Sequence, residues 1–237
     1  MRTKTKDFQF KQFSISGGHS GMPVSTDGVM LGAWTALPKS GCILDIGTGT
    51  GLLSLMCAQR SASRLEIVAI ELEENAFKAA AYNFSESPWH SRLTLIHDDV
   101  LNHTFSHQFD SIICNPPYFN NGQQADDRSR ADARHTNTLD HESLLNKCHS
   151  LLVTHGNASF ILPSVEGEAF IDLALKSGWY LHSRCDIQTT ERKAPTRLML
   201  SLAKLPCKTV HSTLIINQNG QYSPDFVALT QDFYLKM

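Results

Sequence analysis

The sequence lacks the long apolar runs that would take a chain into a membrane or out of the cell. No window approaches the roughly 18 uninterrupted apolar residues of a membrane-spanning helix. The first twenty residues are basic and have no continuous apolar stretch of the kind found in secretory signals. These absences predict a cytoplasmic protein with no membrane partner. With 237 residues, 41% of them hydrophobic, the chain suits one globular domain with short extensions.

Patterns typical of metal and redox centres are also missing. The six cysteines are scattered singly without a C-x-x-C pair, and the eleven histidines include no H-x-x-x-H pair beside a glutamate. We therefore expect reduced cysteines and no metal site.

The chain also lacks a large excess of positive charge, since its formal net charge is −2. This argues against a surface covered with phosphate-binding cations, but the cations are unevenly distributed. Residues 1–11 hold four Lys or Arg against one Asp, and residues 184–208 hold six against two acids. Either segment could be ordinary solvated surface or part of a nucleic-acid interface.

From residue 41 onward, short apolar runs alternate with segments of helical period, which is typical of a parallel sheet flanked by helices. The runs predict strands at 42–46, 65–70, 93–96, 109–114, 157–162, 179–187 and 197–203, with helices at 52–60, 73–84, 141–153 and 166–176. The link between the last two strands is too short for a crossover, so these strands should pair antiparallel. We expect an α/β, Rossmann-like fold: a seven-stranded, mostly parallel sheet with an antiparallel last strand and helices on both faces.

A glycine-rich motif, DIGTGTG at residues 45–51, links the first predicted strand to the first predicted helix. A dinucleotide fingerprint would place its third glycine at position 52, which is Leu52 here. A carboxylate at Asp45 would also repel a pyrophosphate. It suits instead a cofactor that carries an ammonium and a sulfonium group, and S-adenosylmethionine is such a molecule.

Acidic residues also end the next two predicted strands. Glu71 follows Asp45 by 26 positions, close to the place expected for a carboxylate that binds ribose hydroxyls. Asp98 and Asp99 end the third strand and could accept a hydrogen bond from an adenine amino group. Each acid alone is more often a helix cap or a loop residue, but the three strand ends together favour a methyltransferase.

The fourth predicted strand ends abruptly at Asn115-Pro116-Pro117-Tyr118. Prolines end strands because they lack an N–H, but in an open α/β sheet this turn also borders the ligand crevice, where the strand order reverses. The Asn115 side-chain oxygen and the Pro116 carbonyl could accept hydrogen bonds from an exocyclic amine as it gains positive charge. Pro117 would stiffen the turn, and Tyr118 offers a face for stacking. The turn therefore predicts methylation of a planar amine or amide.

The motifs DIGTGTG, IELE, HDDV and NPPY, in this order, resemble those of class I S-adenosylmethionine-dependent methyltransferases that act on amino nitrogens. Over nearly its whole length the chain more closely resembles the bacterial tRNA1(Val) adenine-N6-methyltransferase family, which modifies the adenine beside the anticodon. The blocks that carry this closer resemblance are Phe10–Phe13, Thr26–Gly28, Leu31–Trp34, Ser87–Trp89, Thr138–His141 and Ala228–Leu235.

The resemblance implies S-adenosylmethionine as cofactor and tRNA as substrate, with roles for individual residues. It implies that Asp45, Gly47, Gly49 and Gly51 hold the methionine end, Glu71 the ribose, Asp99 and Val100 the adenine, and Asn115, Pro116, Pro117 and Tyr118 the target base. Thr26 and Asp27 resemble part of a segment that lies over the cofactor. The motif alignment favours Asp99 over Asp98, although the residues alone leave this open.

The resemblance further implies an N-terminal extension, residues 1–40, over the cofactor and substrate side, and a methyltransferase domain, residues 41–237, with a substrate loop at about 119–138. We expect no obligate protein partner, and either a monomer or a weak dimer. The cations that we expect to contact RNA phosphates are Lys4, Lys6, Lys11, Arg128, Arg130, Arg134, Arg192, Lys193 and Arg197.

Other functions stay open at this point. The enzyme could methylate another amino group, such as the N2 of an rRNA guanine or a protein glutamine amide, although glutamine methyltransferases usually carry a substantial helical domain before the glycine motif, and only 44 residues precede Asp45. A DNA adenine methyltransferase normally needs an added recognition domain, and the 122 residues after Asn115 are nearly all used by the predicted core. A silent adenosyl-binding scaffold and a nicotinamide dehydrogenase are the remaining alternatives.

Overall fold

The computed structural model describes residues 4–117 and 140–237. In chain order the described elements are β1 Phe8–Gln9, β2 Ser14–Ile15, α1 Thr26–Trp34, β3 Gly41–Ile46, α2 Leu52–Arg60, β4 Leu65–Glu71, α3 Glu74–Ser85, a 3₁₀ turn His90–Arg92, β5 Leu93–His97, β6 Phe109–Cys114, α4 His141–Leu151, β7 Leu152–Pro163, α5 Ser164–Lys176, β8 Tyr180–Thr190, β9 Arg197–Ala203, β10 Val210–Gln218, β11 Gln221–Tyr222 and α6 Pro224–Thr230. Within the two described ranges, no helix is both long and apolar enough to cross a bilayer.

Strands β3 to β11 form one nine-stranded sheet in the order β11-β10-β8-β9-β7-β6-β3-β4-β5. The five strands from β5 to β7 in this order run parallel, whereas β9 runs antiparallel to both of its neighbours, β7 and β8. The predicted α/β fold, its seven strands and the antiparallel pairing of the last two are confirmed. Strand β10, parallel to β8, and the short β11 extend the sheet beyond the predicted seven strands.

Strand β10 was not predicted from the sequence because it lies near the edge of the sheet. Its first four residues, Val210–Thr213, are exposed, and Leu214 is its one buried residue. An edge strand buries too little of either face to show the regular alternation of apolar and polar residues from which strands are predicted.

Helices pack on both faces of the sheet. On one face, α4 and α5 contribute Leu144, Leu145 and Phe170 to a core that also contains Leu44 and Phe160 from the strands. The other face is covered by α1, α2 and α6, whose packed residues include Met30, Leu53 and Phe226. Because the sheet is covered on both faces, the last four residues of β3, Ile43–Ile46, are all buried and do not alternate with exposed ones.

The N-terminal residues fold back onto the end of the chain. Phe10 and Phe13 are buried beside Leu55 and Met56 of α2. Phe10 forms an antiparallel bridge with Tyr234, and the Lys11 N–H donates to the carbonyl of Phe233 at 2.8 Å. The described residues before β3 therefore share a core with the rest of the chain.

The direction in which the chain adds strands reverses at β3, and a ligand crevice is expected at the carboxyl edge of the sheet beside this strand. From β3 the chain continues to β4 on one side, while β6 flanks β3 on the other, with Ile46 and Cys114 in register at the two strand ends. At such a reversal the loops that follow the two strands separate and leave room for a ligand. The sequence predicted that the turn after the fourth core strand, which is β6, borders such a crevice.

Candidate active site

The glycine loop after β3 contains glycines with two different surroundings. Gly47, Gly49 and Gly51 all have positive φ, at +65°, +61° and +87°. Among the described residues, a Cβ placed on Gly47 or Gly49 would meet no atom within 4 Å, whereas one on Gly51 would lie 2.5 Å from the ring of Phe84. Gly47 and Gly49 therefore border open space above the loop, while Gly51 lets α3 pack closely against the start of α2.

Asp45 is fully buried beneath this loop and holds its shape. Its Oδ2 accepts hydrogen bonds from the Thr48 hydroxyl at 2.5 Å, the Ser54 hydroxyl at 2.7 Å and the Ser54 backbone N–H at 3.0 Å. The carboxylate thereby caps the N-terminus of α2, which has no side-chain cap at Gly51. Its Oδ1 is buried and has no hydrogen-bond partner among the described residues.

Burial dominates the electrostatics of Asp45. Desolvation raises its pKa to about 6, against the lowering effect of the hydrogen bonds from Thr48 and Ser54, and the nearby charge of Glu71 raises it further. Two buried carboxylates close together produce a negative potential that a cationic ligand would relieve. Together with the unpaired Oδ1, this charge fits the ammonium and sulfonium groups of S-adenosylmethionine.

Glu71, at the end of β4, fixes the position of the loop from the other side. Its Oε2 accepts the Gly49 N–H at 2.8 Å and its Oε1 accepts the Glu73 N–H, also at 2.8 Å. Each carboxylate oxygen has a second lone pair for a ligand hydroxyl. Glu71 therefore lies beside the open space of the loop, where the sequence analysis expected a ribose-binding carboxylate.

The two aspartates after β5 shape a turn. Asp99 accepts the Leu101 N–H at 2.9 Å and the Asn102 amide at 2.8 Å, while exposed Asp98 bonds to the His103 ring at 2.8 Å. The hydrogen bond from His103 is the main reason that the pKa of Asp98 is lowered. Val100, the residue after Asp99, is buried. Both carboxylates lie at the correct sheet edge, and the preference for Asp99 over Asp98 stays a prediction.

The predicted target-base turn lies next to the glycine loop. Asn115 follows Cys114 directly and is partly buried, Pro116 is buried and Pro117 is exposed. Because Cys114 pairs with Ile46, Asn115 and Gly47 continue from two adjacent strand ends. Tyr118, the predicted substrate loop at 119–138 and its three arginines, Arg128, Arg130 and Arg134, lie outside the described residues.

The segment before β3 is connected to the far side of the crevice by an ion pair. Thr26 and Asp27 begin α1, and Asp27 Oδ2 lies 2.8 Å from the Nε of Arg197. Arg197 starts β9, and because β9 runs antiparallel, its start lies at the carboxyl edge of the parallel strands. Arg197, predicted to contact RNA, is thus brought together with Asp27, predicted to lie over the cofactor.

The remaining predicted RNA-binding cations fall into two groups. Lys4 pairs with Asp7 at 3.3 Å, Lys11 donates to the carbonyl of Gln231 at 2.6 Å, and Lys6 is exposed. Arg192 and Lys193 are exposed in the connection between β8 and β9, at the carboxyl edge of the sheet. This second pair lies on the same edge as the Asn115 turn.

The structure shows that Thr48 and Ser54, which were not among the predicted site residues, both hold Asp45. Ser54 lies nine positions after Asp45. The sequence contained a weak signal for it, since a small hydroxyl residue at the third position of a helix that follows a glycine loop can reach back to the strand end.

The surroundings of the glycines predict separable effects of two alanine variants. Gly49→Ala should weaken binding of S-adenosylhomocysteine at least ten-fold, because the new Cβ enters the open space, at a stability cost of about 1–2 kcal/mol from its positive φ. Gly51→Ala adds a clash with Phe84 and should lose more stability than Gly49→Ala. Denaturant unfolding and calorimetric titration measure the two effects. Equal losses of affinity and stability in both variants would contradict the assignment.

Comparison with known proteins shows which proteins this chain is similar to. Residues 29–139 match the family model described as methyltransferase small domain. The chain is 56% identical over 236 residues to a protein of Vibrio campbellii named tRNA1(Val) (adenine(37)-N6)-methyltransferase, covering 100% of this chain and 98% of the relative. A protein of the same name from Aliivibrio fischeri is 52% identical, with 98% and 99% covered.

Solved structures share the fold at low sequence identity. A predicted O-methyltransferase from Agrobacterium tumefaciens superimposes with a TM-score of 0.69 at 17% identity, covering 87% of this chain and 96% of the other. A glycopeptide N-methyltransferase in complex with S-adenosyl-L-homocysteine gives a TM-score of 0.57 at 13% identity, covering 76% and 90%. These likenesses establish the class I methyltransferase fold.

Proposed function

Because this chain belongs to the tRNA1(Val) (adenine(37)-N6)-methyltransferase family, we propose that it transfers a methyl group from S-adenosylmethionine to the N6 amino group of adenine 37 in tRNA1(Val). The observation that carries this proposal is the placement of Asn115 beside the glycine loop at the reversal of the sheet. The Asn115 turn suits an amino group, and the family relation identifies which amino group is methylated.

The glycine loop and its two carboxylates would hold the cofactor. S-adenosylmethionine supplies an electrophilic methyl group on a sulfonium when it is bound. Gly47 and Gly49 leave room for its methionine end, the negative charge of Asp45 offsets its positive charges, and Glu71 retains acceptor capacity for the ribose. The turn of Asp99 and Val100 would border the adenine.

The Asn115 turn would bind and polarise the target amine. The lone pair of an adenine amino group is delocalised into the ring, which makes the group a poor nucleophile. The nitrogen gains positive charge as this lone pair forms the new bond. The Asn115 side-chain oxygen and the Pro116 carbonyl would accept hydrogen bonds from the two N–H groups of this amine. The prolines of the turn would hold both acceptors in place. Tyr118 would stack on the base. As the new nitrogen–carbon bond forms, the bond from the methyl carbon to the sulfonium would break, and the methylated nitrogen would lose its extra proton to solvent, so no dedicated general base is needed.

The N-terminal residues, 1–40, would cover the cofactor side of the domain formed by residues 41–237. Thr26 and Asp27 stand at the start of α1, and the ion pair between Asp27 and Arg197 would keep this helix against the crevice. Since Arg197 already pairs with Asp27, its role toward RNA would be to help shape the binding surface. We place the enzyme in the cytoplasm with tRNA, as a monomer or weak dimer.

A tRNA should contact the exposed cations of the β8–β9 connection. The double variant Arg192→Ala/Lys193→Ala should bind tRNA more weakly, and the slope of log affinity against log salt should decrease by about 0.7–0.9 for each phosphate that is no longer neutralised. Filter binding across a salt series measures both quantities. Lys78→Ala is a suitable control, because Lys78 is an exposed lysine on α3 that pairs with Glu74. If the affinity and the slope equal those of the wild type, Arg192 and Lys193 are not part of the RNA-binding surface.

The direct test of the function is in vitro methylation of unmodified tRNA1(Val), followed by mass analysis of its nucleosides. We expect N6-methyladenosine at position 37, and none in a transcript with guanine at that position. Methyl transfer to an rRNA guanine or to a protein glutamine, without reaction on this tRNA, would contradict the proposed substrate. Thermal stabilisation by NAD but not by S-adenosylhomocysteine would overturn the choice of cofactor.

A further inference from the structure

Asn83, on α3, connects two segments of backbone that are distant in sequence. Its Oδ1 accepts the Ser16 N–H at 2.8 Å, and its Nδ2 donates to the Ser16 carbonyl at 3.0 Å and to the Thr50 carbonyl at 2.8 Å. The residue is only 3% exposed. Ser16 belongs to the N-terminal segment, which is the described residues 4–25 that precede α1, and Thr50 lies between Gly49 and Gly51 in the glycine loop.

This set of three contacts requires a side-chain amide. One acceptor meets the Ser16 N–H, and the two N–H bonds of the amide meet two backbone carbonyls, so a hydrogen-bond donor and an acceptor are both in use. A carboxylate of the same shape could accept from Ser16 but would face the carbonyls of Ser16 and Thr50 without a proton to donate. An apolar residue would leave all three backbone groups without this partner, and buried unpaired groups are costly.

Packing around Asn83 brings the same two segments onto one helix. A Cβ on Gly18 would lie 3.4 Å from Ala79, one turn before Asn83 on α3, so the N-terminal segment runs closely along this helix. Phe84, the next residue, packs closely against Gly51. The N-terminal segment and the glycine loop therefore meet α3 at adjacent positions, with the Asn83 amide between them.

We propose that Asn83 is a positioning residue that couples the N-terminal segment to the glycine loop. By holding Thr50 it fixes the loop in the conformation that leaves Gly49 open, and by holding Ser16 it makes that conformation depend on a docked N-terminal segment. This inference rests on the proposed binding of S-adenosylmethionine by the glycine loop. Thermodynamic linkage makes the coupling reciprocal: cofactor binding must stabilise the docked segment as much as docking favours the cofactor.

The first test compares Asn83→Ala and Asn83→Asp with the wild type. Both variants should bind S-adenosylhomocysteine at least ten-fold more weakly in calorimetry, with the aspartate the weaker because its charge faces two carbonyls. KM for S-adenosylmethionine should rise by a similar factor, while kcat at saturating cofactor stays within about three-fold. Asn217→Ala and Asn217→Asp are matched controls. The Asn217 amide also donates to a backbone carbonyl, that of Thr189, but it lies on β10, near the edge of the sheet opposite β5.

The second test measures hydrogen exchange at residues 14–18 with and without S-adenosylhomocysteine. The wild type should gain protection there on binding, and the Asn83 variants should lose that gain. Variants that are less stable but bind within two-fold of the wild type, or a wild type whose segment is indifferent to the ligand, would overturn the coupling. If Asn83→Ala fails to fold, Asn83→Asp carries the test of the residue, and the wild-type exchange tests whether the segment and the ligand are coupled at all. A wild type that does not bind the ligand at all would refute the proposed cofactor site instead.

Discussion

Asn115→Ala is expected to lower kcat by about 100- to 1000-fold while changing the affinity for S-adenosylhomocysteine by less than about three-fold. Removing one preorganised group that stabilises developing charge typically has an effect of this size on kcat. Cofactor affinity should persist because the groups that hold the glycine loop belong to Asp45 and Glu71, which lie on other strands. Single-turnover methylation and calorimetry give the two values.

A second substitution at the same position separates an acceptor from a merely structural side chain. Asn115→Asp keeps an oxygen that can accept from the amine, so it should recover at least ten-fold of the rate lost in Asn115→Ala. If the two variants are equally slow and both melt well below the wild type, Asn115 acts by holding the turn. An unchanged kcat in Asn115→Ala would refute the role altogether.

Asp45→Asn should weaken S-adenosylmethionine binding by about two orders of magnitude while leaving the protein at least as stable at neutral pH. The asparagine oxygen can still accept the three hydrogen bonds from Thr48 and Ser54, so the loop keeps its support. What disappears is one buried negative charge, worth about 3 kcal/mol toward a cation some 5 Å away at an effective dielectric constant of 20. Calorimetric titration of both proteins measures the loss. Equal affinities would exclude Asp45 as the counter-charge.

The same variant should alter how stability depends on pH. Burial raises the pKa of Asp45 to about 6 from an ordinary value of 3.8, so the folded state binds more protons than the unfolded state between these values. The free energy of unfolding of the wild type should therefore fall, relative to Asp45→Asn, as the pH rises from about 4 to about 6. Denaturant unfolding at pH 5 and pH 7.5 gives this difference. A constant difference between the two proteins would mean that Asp45 titrates normally.

Local patterns in the sequence were sufficient for the central crevice. The run before Asp45 and the glycines after it specify a strand, a tight turn and a helix between Gly41 and Arg60, and the prolines after Cys114 end the neighbouring strand. These signals are short-range, so they survive in any tertiary context. They placed the glycine loop and the Asn115 turn on adjacent strand ends, as the register of Ile46 and Cys114 confirms.

Local patterns of this kind do not predict contacts between segments that are distant in sequence. Nothing near Arg197 indicates that it pairs with Asp27, and nothing near Asn83 indicates that it bridges Ser16 and Thr50. The packing role of Gly51 depends on Phe84, which arrives from another helix. In each case the chemistry of the residue was visible, but its partner is selected only when the chain folds.

The contact between the two ends of the described chain also bears on the order of folding. Lys11 reaches the carbonyl of Gln231 across 220 positions, and the neighbouring bridge joins Phe10 to Tyr234. Closing so long a loop costs more chain entropy than forming the adjacent strand pairs of the central sheet. We therefore expect these contacts to form late, after the central strands have paired. Since the same N-terminal segment continues to Ser16, the docking of Ser16 on Asn83 should be among the last steps of folding, completed as the C-terminal residues dock.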